Sequence, residues 1–131
     1  MPDGGGRLEL GSGAFEGPFT LKARVEDVER ATNPEELIAA AEAGCFTMSL
    51  ANTLSEAGHP PEDLQTTATV RLEQGEGGFA ITQIQLQTVG RVDGVSAEQF
   101  AEFAAEAERG CPVSRALAGT EITLEATLAG S

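Results

Sequence analysis

Aromatic side chains are scarce in this chain of 131 residues, which has no tryptophan, no tyrosine and six phenylalanines. Basic side chains are also few, because eight lysines and arginines are outnumbered by 21 aspartates and glutamates, which leaves a net charge of −13. A binding site built from stacked aromatic rings is therefore disfavoured. Nucleic acids and anionic membranes attract basic surfaces, so the charge predicts that neither is a partner.

Segments that would direct the chain out of the cytoplasm are also missing from the sequence pattern. Residues 1–11 do not show the basic and then apolar pattern of a secretory signal. The most apolar window, residues 37–54, is interrupted by polar side chains and lacks a run of the roughly 18 apolar residues that a membrane span needs. We therefore predict a cytoplasmic protein. In that reducing compartment a permanent disulfide between the two cysteines is disfavoured, and catalysis or redox work is the commoner role.

The length of the chain predicts one domain, residues 1–131, with a single core and a loose, glycine-rich tail at residues 1–6. Several segments alternate between apolar and polar residues, as half-buried strands do. These predicted strands are residues 7–10, 19–25, 66–73, 79–89 and 121–128.

Two helices are marked by the residues at their ends. Asn33, followed by proline, is a good N-cap, and Gly58, followed shortly by two prolines, ends this long helix. Ser96 and Gln99 have the spacing of a capping box, and Gly110 ends the second helix. The order of elements predicts an α+β fold, in which an antiparallel sheet packs on the long central helix and on the second helix.

The two cysteines occupy different positions in these elements. Cys45 lies inside the first helix among apolar neighbours, where a buried thiol is inert unless a cation is supplied from elsewhere in the fold. Cys111 precedes Pro112, at which a short helical turn begins, and a helix N-terminus favours a thiolate. By position alone Cys111 is the more acidic thiol. Two other interpretations stay open at this point: both cysteines are small buried hydrophobic residues, or they form a structural disulfide.

The residues around both cysteines resemble known motifs. Residues 33–46, Asn-Pro-Glu-Glu-Leu-Ile-Ala-Ala-Ala-Glu-Ala-Gly-Cys-Phe, resemble the central-helix motif of the OsmC/Ohr family of thiol-dependent peroxidases. Residues 110–114, Gly-Cys-Pro-Val-Ser, resemble its second-cysteine motif, and residues 78–82 and 121–124 are similar to the OsmC branch. The resemblance extends over about residues 19–128. It implies an OsmC-like fold in an intertwined homodimer.

The resemblance also implies a chemistry. Cys45 is then the peroxidatic cysteine, which attacks an organic hydroperoxide and becomes a sulfenic acid, and Cys111 is the resolving cysteine, which condenses with it to a disulfide. A dithiol reductant, typically lipoyl-type in this family, reduces that disulfide by exchange. The family needs no metal and no other cofactor. Small apolar residues near Cys45, together with Phe46 and Met48, fit an apolar pocket that prefers organic hydroperoxides to hydrogen peroxide.

An Arg–Glu pair near the reactive thiol is a further feature that the resemblance implies. Glu35 matches the motif glutamate, and Arg24 is our choice for the arginine, with Arg30 as the rival. A guanidinium stabilises a thiolate, and a carboxylate orients the guanidinium. Ten helical residues place Glu35 about 15 Å from Cys45 along the helix axis. Either the helix starts late or the glutamate comes from a second copy, and we favour a homodimer with active sites at the subunit interface. Taken alone, Glu35 would only compensate the helix dipole.

The chain departs from the family pattern in three respects. Its N-terminal strand region is short, and Glu42 and Gly44 stand where the family often has an aromatic residue or histidine and an alanine. A buried carboxylate would oppose ionisation of Cys45, so we expect Glu42 to face away or to pair with a cation. The alternative function is a non-catalytic, stress-associated interaction module that retains the fold. His59, the only histidine, lies in a turn and is predicted at the surface, and its spacing to the cysteines gives no zinc pattern.

Overall fold

The computed structural model of this protein describes residues 5–25 and 30–130. The chain forms two compact units, residues 1–38 and residues 39–131. The expectation of one domain over the whole chain stays a prediction.

The first unit contains a small β-hairpin. Strand β1, Gly6–Glu9, pairs in antiparallel fashion with strand β2, Glu16–Phe19. The strand predicted at residues 7–10 is thereby confirmed with a shift of one residue, and it begins inside the tail predicted over residues 1–6. Of that tail, residues 1–4 lie outside the described residues.

The strand predicted over residues 19–25 is wrong, because Leu21–Val25 form the short helix α1. The hydroxyl of Thr20 accepts a hydrogen bond from the backbone N–H of Ala23 at 2.8 Å, as an N-cap residue does. This cap outweighs the short alternating pattern. The side-chain amide of Asn33 also donates to the carbonyl of Ala23 at 2.8 Å, which ties α1 to the start of the next helix.

Helix α2, Pro34–Glu56, begins where predicted and ends within one residue of the predicted end. The side chain of Asn33 accepts a hydrogen bond from the backbone N–H of Glu36 at 2.8 Å, as the predicted N-cap requires. At the other end Gly58 has a φ of +89°, and the N–H groups of Gly58 and His59 donate to carbonyls of the last turn at 3.1 and 2.8 Å. This is a Schellman motif, which favours glycine at the left-handed position.

α2 is also long and apolar enough to cross a membrane when only length and composition are judged. The sequence pattern predicts no membrane span because it lacks an uninterrupted apolar run. The criterion of length and composition allows polar interruptions, so α2 meets it. The helix contributes Phe46, Leu50 and Leu54 to the core of the second unit, and all three are fully buried. These residues place one face of α2 in the core, whereas 22% of its membrane-length window is buried in all.

The second unit contains a three-stranded sheet in the order β3 (Asp63–Gly75), β4 (Gly78–Arg91) and β5 (Glu121–Leu128). β3 and β4 form the predicted antiparallel hairpin, with a bulge between Arg71 and Leu72. All three strands lie over the predicted segments and extend some of them. The α+β class predicted from the sequence is confirmed.

One pairing differs from the predicted antiparallel sheet, because β4 and β5 run parallel. The chain between them carries helix α3, Ala97–Gly110, and helix α4, Pro112–Ala116. A connection with helices can carry the chain back across the sheet, so that the next strand points the same way as the previous one. The predicted capping box at the start of α3 is confirmed, since the side chain of Ser96 accepts from the N–H of Gln99 and the side chain of Gln99 accepts from the N–H of Ser96.

Apolar side chains from α2, the sheet and α3 fill the core of the second unit. Its buried members are Phe46, Leu50, Leu54, Leu86, Val92, Phe100, Ala104, Ala107 and Leu128.

Gly90 in this core leaves no room for a larger residue. A Cβ at Gly90 would lie 2.6 Å from Cζ of Phe100 and 3.0 Å from a methyl group of Leu64. We expect Gly90→Ala to lower the free energy of unfolding by about 1–3 kcal/mol, because overpacking shifts side chains and backbone from their minima. Chemical denaturation measures the change. Gly119→Ala is the matched control, because a Cβ there meets nothing within 4 Å. Equal losses in the two variants would contradict the role of the Phe100 contact.

Candidate active site

The two cysteines of the chain meet in the second unit. Cys45 lies in the middle of α2 and is partly exposed, whereas Cys111, between α3 and α4, is fully buried. Both thiols are free, and the side chain of Cys111 lies close enough to that of Cys45 to raise its pKa. The fold therefore brings together two sulfur atoms that lie far apart in the sequence. Cys111 also occupies the predicted position at the N-terminus of a short helix.

The surroundings of Cys45 favour its neutral thiol. Burial raises the pKa of Cys45 most, and the hydrogen bond with Cys111 and the negative charge of Glu42 raise it further. The backbone N–H of Val113, which is hydrogen-bonded to Cys45, acts in the opposite direction. The net pKa is raised, so these surroundings disfavour the thiolate of Cys45 at neutral pH. The groups of this chain that act on the thiol include no cation among the described residues.

Glu42 is buried beside the cysteines, with none of its side chain exposed. One of its carboxylate oxygens, Oε1, accepts a hydrogen bond from the hydroxyl of Ser114, which follows Cys111 on α4. The other oxygen, Oε2, has no hydrogen-bond partner among the described residues. The expectation that Glu42 faces away or pairs with a cation is therefore wrong, because Ser114 brings a neutral hydroxyl to it.

Arg24 and Glu35 form an ion pair in the first unit. Nε of Arg24 donates to Oε1 of Glu35 at 2.7 Å, and Nη2 donates to Oε2 at 3.0 Å. This two-pronged geometry fixes the plane of the guanidinium, and the hydrogen bonds to Glu35 raise the pKa of Arg24. The Glu35 side chain is 9% exposed and that of Arg24 is 33% exposed. Arg30, the rival in the sequence, is exposed and adopts a left-handed backbone with a φ of 62°.

The structure brings the four predicted site residues together in two pairs. Cys45 contacts Cys111, and Arg24 contacts Glu35. α1 and Asn33 account for the second pair, because they place Arg24 beside the first turn of α2.

Two neighbours of the cysteines, Ser114 and the N–H of Val113, were not identified from the sequence. Ser114 stands three residues after Cys111, and Glu42 stands three residues before Cys45, so helical spacing was the available signal. Which residue meets which across the fold does not follow from spacing.

The structure also locates Phe46, Met48 and His59, whose positions were predicted from the sequence. Phe46 belongs to the core, so its predicted place in a substrate pocket is wrong, whereas Met48 is 75% exposed. His59 is partly buried beside the ring of Phe103, with the ring centres 6.4 Å apart. Over residues 5–25 and 30–130 no group of three or more His, Cys, Asp or Glu side chains could hold a metal ion.

The chain as a whole is similar to several known proteins. Residues 26–126 match the family model described as OsmC-like protein. The chain is 44% identical over 123 residues to peroxiredoxin OsmC of Escherichia coli strain K12, an alignment that covers 93% of this chain and 85% of the relative. It is 33% identical over 105 residues to the organic hydroperoxide resistance protein OhrA of Bacillus subtilis strain 168, covering 78% and 72% of the two chains.

A solved structure agrees with these sequence matches. The crystal structure of an organic hydroperoxide resistance protein OsmC from Legionella pneumophila superposes with a TM-score of 0.75 at 25% identity. The superposition covers 93% of this chain and 88% of that one. The family model spans most of the sequence, and a relative of high identity spans nearly all of it. The chain therefore belongs to the OsmC family.

Proposed function

We propose that this protein reduces organic hydroperoxides to alcohols, with Cys45 as the peroxidatic and Cys111 as the resolving cysteine. The observation that carries the proposal is the contact between the two free thiols. Relatives named peroxiredoxin OsmC and organic hydroperoxide resistance protein support a peroxidase-type role. The unequal exposure of the cysteines supports their order, because a substrate can reach partly exposed Cys45 and cannot reach buried Cys111.

The proposed reaction has two oxidative steps. The Cys45 thiolate attacks the terminal oxygen of the hydroperoxide, the O–O bond breaks, and the alkoxide takes up a proton and leaves as the alcohol. The sulfur, oxidised by two electrons, becomes a sulfenic acid. Cys111 then attacks this sulfur as a thiolate, the S–S bond forms, and the oxygen leaves as water. A dithiol of the lipoyl type reduces the disulfide by exchange.

The cation required by Cys45 comes, in this proposal, from Arg24 of a second copy. Arg24 is already oriented by Glu35 through two hydrogen bonds. A late start of α2 had been the alternative explanation for the distance between Glu35 and Cys45, and it is wrong because α2 begins at Pro34. We therefore retain the homodimer in which each active site is completed at the subunit interface.

The surface of α2 supports such a partner. Ala41, Gly44 and Met48 are exposed at helical spacing, and Met48 is 75% exposed in the single chain. Small side chains allow a second backbone to approach closely, and a large apolar side chain in water favours burial in an interface. Sedimentation that gave a monomer at micromolar concentration would contradict the homodimer.

The proposal also includes the cellular location of the enzyme and the partners that it lacks. We propose a cytoplasmic location, where the thiols remain reduced, and no nucleic acid or membrane as partner, because a net charge of −13 repels both. The alternative function is a non-catalytic interaction module that retains the fold. The proximity of the two cysteine side chains favours the enzyme over this alternative.

One experiment separates the two functions. Reduced protein is mixed with cumene hydroperoxide in the presence of a chelator, and free thiols and cumyl alcohol are measured over time. We expect rapid loss of both thiols, one alcohol formed per disulfide, and recovery of the thiols with dihydrolipoamide. Thiols that persist in a folded protein, with no alcohol formed, would support the non-catalytic module.

A further inference from the structure

Glu42 and Ser114 form a second link beside the cysteine pair. On α2, Glu42 stands three residues before Cys45, and on the opposing segment Ser114 stands three residues after Cys111. Residues three apart on a helix lie on the same face. The hydrogen bond between Glu42 and Ser114 therefore joins the two segments that also carry the contacting thiols.

Glu42, which accepts this hydrogen bond, is otherwise energetically unfavourable at its buried position. The Glu42 side chain is completely buried, and its Oε2 lacks a hydrogen-bond partner within the described part of the chain. Burying a carboxylate with an unpaired oxygen is costly, whereas an apolar side chain would fill the same space without that penalty. The charge of Glu42 also opposes the thiolate of Cys45. The favourable contact that Glu42 makes is the one to Ser114.

Ser114 belongs to a short segment, whose position relative to α2 depends on its contacts with that helix. α4 has five residues, and the chain before it bends at Cys111, where the backbone is extended with a φ of −77° and a ψ of 117°. Within the described residues, contacts from this segment to α2 include those of the thiol of Cys111, the N–H of Val113 and the hydroxyl of Ser114. The first two involve the sulfur of Cys45, which changes chemically when it is oxidised. The hydrogen bond to Glu42 does not involve that sulfur.

We propose that Glu42 and Ser114 are positioning residues that hold Cys111 against Cys45 while the disulfide forms. The inference rests on the proposed function. In the step concerned, the Cys111 thiolate attacks the sulfur of the Cys45 sulfenic acid, the S–S bond forms and the S–O bond breaks. The oxygen takes up a proton and leaves as water, and the hydroperoxide of the first step has supplied the oxidation. Misplacing reacting atoms by about 1 Å can slow such a step about 100-fold.

The test uses the double variant Glu42→Met/Ser114→Ala, which removes both polar partners and leaves neither one unpaired in the core. Full-length protein receives one equivalent of cumene hydroperoxide, and sulfenic acid, trapped with dimedone, and disulfide are followed separately by mass spectrometry. We expect the sulfenic acid of Cys45 to form and accumulate, and the disulfide to form at least about tenfold more slowly than in the parent chain. Should the double variant not fold, Ser114→Ala alone carries the same test.

Two further variants distinguish positioning from general effects. Glu42→Gln keeps an oxygen that accepts from Ser114 but removes the charge, so its disulfide should form within about twofold of the parent rate. Ser49→Ala removes a hydrogen bond from α2 to the carbonyl of Ala107 on α3, 2.9 Å long, and should leave the disulfide rate unchanged.

Three results would overturn the inference: a parent-like disulfide rate in the folded double variant, a Gln variant as slow as the double variant, or an equal slowing in Ser49→Ala. A parent chain that forms no sulfenic acid at all would instead refute the proposed function.

Discussion

Replacing Cys45 by serine should lower the rate of hydroperoxide reduction by at least about 10³-fold, because no other group can take the place of an attacking thiolate. Cys45 is the partly exposed member of the cysteine pair, and buried Cys111 cannot meet the substrate in its stead. The measurement is the consumption of cumene hydroperoxide by the reduced variant, with a lipoyl-type dithiol supplied in excess.

The matched control for this prediction is Cys111→Ser. Without added dithiol, this variant should still consume one equivalent of hydroperoxide and should stop at a sulfenic acid on Cys45, because the sulfur that traps it is absent. The opposite pattern would reverse the two roles: initial reaction lost in Cys111→Ser and kept in Cys45→Ser.

Replacing Arg24 by alanine should lower the rate at pH 7 by about 100-fold, because the thiol loses the cation that promotes its ionisation. Burial raises the pKa of Cys45 above that of an ordinary cysteine, so the thiolate is scarce at neutral pH unless a cation lowers the pKa. Below the pKa the amount of thiolate increases about tenfold for each pH unit. The rate of Arg24→Ala should therefore rise with pH beyond the point at which the parent chain reaches its plateau. Rates at a series of pH values measure this displacement.

Arg7→Ala is the control for the loss of an arginine. Arg7 pairs with Glu16 at 2.7 Å at the surface, with side chains 63% and 57% exposed. This variant should keep the parent rate and pH profile. An unchanged profile in Arg24→Ala would contradict the assignment of the cation.

A mixture of two inactive variants tests whether Arg24 acts across the interface. When Arg24→Ala and Cys45→Ser chains are refolded together, each mixed dimer combines an intact Cys45 with an intact Arg24 from the other chain at one of its two sites. Random pairing should restore about a quarter of the parent activity. If Arg24 serves the thiol of its own chain, no intact pair exists in any dimer and the mixture stays inactive.

Most of the secondary structure could be predicted because its signals are local. Asn33 caps α2, Gly58 closes it, and Ser96 with Gln99 opens α3, each through contacts within a few residues. The family and the peroxidase-type class of enzyme expected from the two cysteine motifs are likewise confirmed by the comparisons.

The errors lie where distant or competing contacts decide. Residues 19–25 alternate like a strand, yet Leu21–Val25 form a helix, and the hydroxyl of Thr20 caps its first turn. The direction of β5 depends on the path of the two helices before it. No spacing within a segment reports such a path.

In the candidate site, too, local motifs could be predicted, whereas contacts between distant residues could not. The motifs predict roles for Cys45 and Cys111, which stay predictions, and the structure places their side chains close together. The burial of Glu42 could not be predicted, because its partner Ser114 is 72 positions away and because a carboxylate is normally assigned to the surface. Glu42 thus departs from the usual surface position of a carboxylate, and in the fold it is hydrogen-bonded to Ser114.

In the proposed cycle, the burial of Cys111 gives the regeneration of the enzyme a fixed direction. A dithiol then attacks the Cys45 end of the S–S bond, so the mixed disulfide with the reductant forms on Cys45 and Cys111 is the departing thiolate. Hydroperoxide and reductant would thus react in turn at one and the same sulfur.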